Sequence, residues 1–212
     1  TYTAQAHTKK NNRKCEFAMQ NAETVSVLAN NLIGEKFDKA KYDECWEKVL
    51  INHFHDILPG SSIKEVYEVT EKEHGEVLDY TAEDIKNKLT LIGEKVDKDG
   101  VLVYNPNSYE YSGVVEFDGE RYRVNGIRPK GYKVVSLEKS QTKVVADKTK
   151  LENKNLRVLF DDNFDITSVY DKRANREVLK QGKKARFIAY QDFNEMYDNW
   201  ELSSFYQETS YE

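Results

Sequence analysis

The spacing of apolar residues changes once along this chain, from steps of three and four to steps of two, and that change divides what the chain can fold into. From Glu16 to Ile33, Ala18, Ala22, Val25, Ala29 and Leu32 recur at helical spacing, and Gly34 supplies a stop signal. Asp38 is placed to cap a second helix carrying Tyr42, Cys45, Trp46, Val49 and Leu50, which Pro59 and Gly60 bring to an end. A third helix is expected from "SSIKE", where Ser62 and Glu65 have capping-box spacing. Its stripe runs through Ile63, Val66, Tyr67, His74, Leu78, Thr81, Ile85, Leu89 and Ile92. Three such helices bury their stripes most simply against one another, so the chain up to about Val96 reads as a three-helix bundle.

Beyond Asp97 to Gly100 the pattern is different. Short runs follow one another, among them "VLVY", "GVVEF", "RYRV", "YKVVSL", "NLRVLF", "ITSVYD" and "ARFIAY", with Gly, Asn, Asp and Pro between them. Close-set strands separated by turns indicate antiparallel sheet, here a partial β-sandwich. The fold class is therefore α+β, a three-helix bundle followed by an antiparallel β-sandwich. "YDKRANRE" reads as a charged hairpin loop and "PNSYEYSG" as a turn followed by an edge strand.

Composition narrows the function classes. A net charge of -5, with no lysine or arginine block interleaved with aromatics, argues against a nucleic-acid partner. The apolar runs are only a few residues long, which argues against a membrane partner. Cys15 and Cys45 fall inside helical patterns and give no disulfide framework, so a reducing, cytoplasmic setting is expected. "KKNNRK", Lys9 to Lys14, reads as a solvated approach to the first helix. The chain opens on "TYTAQA" without methionine and stops within a strand-rich stretch, and is expected to be a piece of a longer protein.

The stretch that asks for chemistry is "INHFHDILPGSS". The chain has four histidines, and two of them, His53 and His55, stand here with Asp56 directly after the second. Residues two apart do not share a helical face, which excludes the HExxH arrangement of metal ligands. His55 and Asp56 instead fall at or just past a helix end, over the tip of the bundle. There, one imidazole is available to a metal and one carboxylate to a polar ligand. The alternative is a solvated or capping histidine. Zinc takes three or four protein ligands, and His7, His74 and the cysteines lie in other segments without ligand spacing.

"FHDILPGSSIKEVY", with "TYTAQAHTKKNNRKCE" before it and "NLRVLFDDNFDITSVYDKRANREVL" after it, resembles the class II α-mannosidases of glycoside hydrolase family 38. The resemblance implies that residues 1–14 are the tail of a catalytic barrel domain, 15–96 the middle bundle and 97–212 the beginning of a β-sandwich domain. It implies zinc-dependent, retaining hydrolysis of α-mannosides, with a mannose-containing oligosaccharide as partner and homo-oligomerisation left open. His55 matches the family's zinc ligand from the bundle, and Asp56 a residue that contacts substrate hydroxyls. The nucleophile, the acid and the other zinc ligands have no counterpart in the chain and are expected upstream of Thr1. His53 departs from the neutral residue common in the family. Asn199 stands where the family has alanine, which leaves open any sugar contact by Tyr197, Asp198 or Trp200; their alternative reading is a strand with packed aromatics. Two further readings differ in class. A non-catalytic carbohydrate-binding β-module requires clustered aromatics on one sheet face, and a helical interaction scaffold requires His55 and Asp56 to be buried and paired.

Overall fold

The computed structural model describes residues 3–96, 100–136, 138–139, 144–191 and 205–211. Three helices come first: α1 (Ala6–Ile33), α2 (Lys39–Ile51) and α3 (Lys64–Val96). α1 packs most extensively on α3, and α2 lies against both. The core they share is Cys15, Met19, Ala22, Tyr42, Cys45, Val49 and Val77, with Trp46, Leu78, Tyr80 and Ile85 packed around it. Among the described residues no helix is long and apolar enough to cross a membrane.

The helix ends follow local chemistry. Gly34, at φ 73°, closes α1 by donating its N–H to Asn30 O, a left-handed conformation that glycine adopts without steric penalty. Asp38 caps α2, its carboxylate accepting from Lys41 N at 3.2 Å. The expected capping box of α3 does not form. The Ser62 N–H is bonded by the Tyr67 hydroxyl, and Ser62 Oγ turns back to Asp56 O, so both groups of Ser62 serve the preceding loop.

The first helix corrects two expectations. It starts at Ala6 rather than at Glu16, so residues 6–14 are bundle and not the tail of another domain. Its buried face begins with Thr8 and Asn12, two polar residues that an apolar stripe does not register. "KKNNRK" is accordingly only partly a solvated stretch: Arg13 and Lys14 are exposed, whereas Asn12 is buried and Lys9 is bonded to two backbone carbonyls. Near the C-terminal end of α3, Ile92 is buried as expected, but the other buried position there is Lys88, while the expected Leu89 is only half-buried.

The strands fall in antiparallel pairs, as expected. β1 (Val101–Tyr104) pairs with β4 (Tyr132–Val135), while β2 (Tyr111–Phe117), β3 (Glu120–Ile127) and β5 (Glu138–Lys139) form a three-stranded sheet with β2 at its edge. Asp118 and Gly119, both at positive φ, make the tight turn between β2 and β3. β1 also packs on the end of α3, where an added Cβ at Gly93 would lie 3.9 Å from Leu102 Cβ. These elements form one compact unit with the helices, which reaches Lys139, well beyond the expected division at Asp97.

A second unit contains the described residues from Val144 on. Its strands β6 (Val145–Ala146), β7 (Lys150–Glu152), β8 (Leu156–Phe160), β9 (Ile166–Asp171) and β10 (Arg176–Glu177) form a five-stranded meander. "YDKRANRE" is its last hairpin, with Asn175 at φ 50°. "ARFIAY" is less regular than expected: Ala185 makes one isolated bridge to Ile166, and only β11 (Ala189–Tyr190) is strand, paired with β12 (Ser210–Tyr211). No described residue of this unit is fully buried, and its described strands form the five-stranded sheet and the two-stranded pair rather than a closed sandwich.

Candidate functional site

The stretch that asked for chemistry is the connection between α2 and α3. α2 ends at Asn52, which is buried and fully engaged. Its Nδ2 donates to Lys48 O at 2.8 Å and Glu73 Oε2 at 2.7 Å, and its Oδ1 accepts from Thr70 Oγ1 at 2.7 Å. A buried amide left without partners would cost about 1–3 kcal/mol, so this network fixes where the helix stops. Two turns follow, closed by Ile57 N to Phe54 O at 2.9 Å and Gly60 N to Ile57 O at 3.1 Å. Pro59 has no N–H to donate, and Gly60 takes φ 100°.

His55 and Asp56 sit on this loop as expected, at the tip of the bundle and open to solvent. The side chains are 78% and 49% exposed, with His55 Nε2 3.4 Å from Asp56 Oδ2. The Phe54 ring lies 4.3 Å from the imidazole, tilted by 46°. Exposure removes the reading of a buried, mutually paired His-Asp. His53 points the other way: its Nε2 lies 3.3 Å from Glu16 Oε1 on α1. The neighbouring cavity, lined by Ile51, Ile57, Val66 and Val69, has neither His55 nor Asp56 in its wall.

What apolar periodicity did not reveal is how the loop is held. The Asp56 carbonyl accepts from Ser62 Oγ at 2.9 Å, Ser61 N at 3.2 Å and the Tyr67 hydroxyl at 3.3 Å. On its other side the loop meets the segment that leads into α1. Lys9 Nζ donates to Pro59 O at 2.9 Å and to Ala4 O, and partial burial holds the ammonium below its ordinary pKa. Gly60 is required there, since a Cβ would come within 2.7 Å of Ala4 O. The two sequence segments that carry the strongest family resemblance, at residues 1–16 and 54–67, therefore meet in space. The available signal was a lysine and a tyrosine inside those two motifs.

Among the described residues no three His, Cys, Asp or Glu side chains converge into a metal-holding group. His55 fits as a single exposed donor and no more. Tyr197, Asp198 and Trp200 lie outside the described residues.

This architecture, a helical bundle that carries a His-Asp loop and continues into antiparallel sheet, matches two family models. Residues 1–92 match "Alpha mannosidase middle domain", and residues 151–212 match "Glycosyl hydrolases family 38 C-terminal domain". The chain belongs to glycosyl hydrolase family 38. It is 26% identical to Alpha-mannosidase G of Dictyostelium discoideum, over 97% of this chain and 25% of that protein. It is 25% identical to the human Alpha-mannosidase 2C1, over 99% of this chain and 22% of that protein. A solved α-mannosidase from Enterococcus faecalis V583 shares the fold, with a TM-score of 0.64 and 15% identity over 82% of this chain and 29% of that one. The chain thus spans about a quarter of the length of these curated relatives.

Proposed function

We propose that the whole protein to which this chain belongs is a zinc-dependent, retaining α-mannosidase that removes terminal α-linked mannose from oligosaccharides or glycans. The observation that carries the reading is the exposed His55–Asp56 pair on a loop fixed from two sides, within a chain of this family. The curated relatives named as α-mannosidases support the activity.

This chain's part is to present two groups. With Nε2 facing the Asp56 carboxylate, His55 leaves Nδ1 to a metal; a carboxylate beside a ligating imidazole fixes the ring and raises its basicity. When bound, zinc supplies Lewis acidity towards sugar hydroxyls. Asp56 keeps Oδ1 near Ser61 Oγ at 3.4 Å, a weak contact that a substrate hydroxyl displaces readily. The carboxylate then accepts a charge-assisted hydrogen bond from the sugar, which tightens as the ring approaches the oxocarbenium-like state. The nucleophile and the acid come from the remainder of the protein. A reducing, cytoplasmic setting belongs to the same proposal and accords with two free, buried thiols.

Asp56→Asn in the full-length protein tests the division of roles. Zinc content stays at the wild-type level while kcat/KM on an aryl α-mannoside falls, and the mannose first released has the α configuration. Zinc loss in this variant would recast Asp56 as a ligand, and first release of the β-anomer would refute retention.

A further inference from the structure

We propose that Tyr67 and Lys9 are positioning residues for the His55–Asp56 pair, gripping the backbone of its loop from α3 and from the segment before α1. The proposal rests on the mannosidase reading above and extends it to two side chains that touch neither metal nor sugar.

Tyr67 uses both functions of its hydroxyl. It donates to the Asp56 carbonyl at 3.3 Å and accepts from the Ser62 N–H at 2.8 Å, so one phenol closes the loop on itself. With Ser62 Oγ, Ser61 N and, at 3.5 Å, Ser61 Oγ on the same carbonyl, four donors fix the peptide plane that follows Asp56. That plane sets the direction in which the Asp56 carboxylate and the adjoining imidazole leave the chain. Lys9 holds the far end, its ammonium bridging Pro59 O and Ala4 O across the close approach that Gly60 permits. Neither residue belongs to the apolar core of the bundle. A half-buried ammonium is a costly way to cover surface, since methionine would do so without desolvating a charge. Its two carbonyl partners belong to one loop and one entering segment, and what they fix is the loop's place.

The test uses the full-length protein with Tyr67→Phe, Lys9→Met and Lys9→Arg, beside His55→Ala and wild type. Zinc affinity is measured by chelator competition, kcat and KM on an aryl α-mannoside, and helix content and melting by circular dichroism. Tyr67→Phe and Lys9→Met keep their helix content and lose about 10–100-fold in zinc affinity and kcat, as loss of an outer partner of a metal ligand does. Lys9→Arg, which keeps the charge and the donors, recovers most of both. Wild-type zinc affinity and kcat in Tyr67→Phe and Lys9→Met, alongside an inactive His55→Ala, overturn the positioning role and leave the mannosidase reading intact. Loss of helix in both variants, or failure of Lys9→Arg to recover activity, makes these contacts props of the bundle and also overturns it. A wild-type protein that turns over no α-mannoside overturns both readings together.

Discussion

Replacing Lys88 by methionine should unfold the bundle more readily than any loss of apolar packing at that site would. Lys88 is 5% exposed, and its ammonium has all three protons placed, on Ser26 Oγ at 2.8 Å and on the two Asp84 oxygens at 2.6 and 2.7 Å. The Tyr42 hydroxyl donates to Asp84 Oδ2 at 2.6 Å and lies 2.8 Å from Ser26 Oγ, and Lys88 stands 5.5 Å from the centre of its ring. Burial first, and then the bond to Asp84, push the Tyr42 hydroxyl far above its ordinary pKa. Methionine fills similar space but leaves the Asp84 carboxylate with one hydroxyl donor inside the bundle. Breaking one partner of a buried pair costs about 3–5 kcal/mol; Asp84 keeps 16% exposure, so the lower end, about 3 kcal/mol, is expected. For a chain of this size that is a fall in Tm of roughly 6–12 °C. Urea unfolding followed by far-UV circular dichroism measures it. Lys88→Met combined with Asp84→Leu should recover most of the loss, because a buried pair replaced by apolar groups is often near neutral. A single-variant loss below about 0.5 kcal/mol, the level of an ordinary surface change, would refute the reasoning, as would strict additivity in the double variant.

Three further outcomes follow from the same geometry. Gly60→Ala, placed at φ 100° against Ala4 O, should destabilise by more than about 1 kcal/mol in urea unfolding, and a neutral result would mean that the approach to Ala4 is not maintained. His74 is fully buried; desolvation lowers its pKa, with His53 and His7 acting in the same direction and Glu73 opposing. Since the unfolded chain then binds the proton first, this contribution to stability is complete above pH ~6.5 and is lost as pH falls from there towards the folded pKa, with a slope of at most about 1.4 kcal/mol per pH unit. His74→Leu should flatten that part of a stability-against-pH curve, and an unchanged slope would assign it to other groups. The isolated 212-residue chain, beside the full-length protein, should show no turnover of an aryl α-mannoside; activity that survives repurification would place the chemistry inside it.

The helices were legible where apolar side chains do the burying and hidden where polar ones do. Ala22, Val25 and Ala29 marked the second half of α1, but its first turns are buried through Thr8 and Asn12, which carry no apolar period. Lys88 was invisible for the same reason: its burial depends on Asp84 one turn earlier and on Tyr42 and Ser26 from other helices. The Ser62–Glu65 spacing fitted a capping box, yet the Tyr67 hydroxyl took the Ser62 N–H instead, a local competition that spacing alone does not resolve. At the site, Pro59 and Gly60 announced the loop, and the residues that hold it in place come from elsewhere in the chain. Lys9 stood in what looked like a solvated basic run, and only the fold brings it to Pro59.

The central claim is that the loop at the tip of this bundle supplies a metal ligand to a mannosidase active site. Zinc content and aryl α-mannoside turnover, measured on one preparation of full-length wild-type protein and one of His55→Ala, test it most directly. Removing one ligand opens the site, so the variant is predicted to lose bound zinc and activity together while keeping its helix content. Full zinc and normal turnover in His55→Ala would remove His55 from the site and contradict the account.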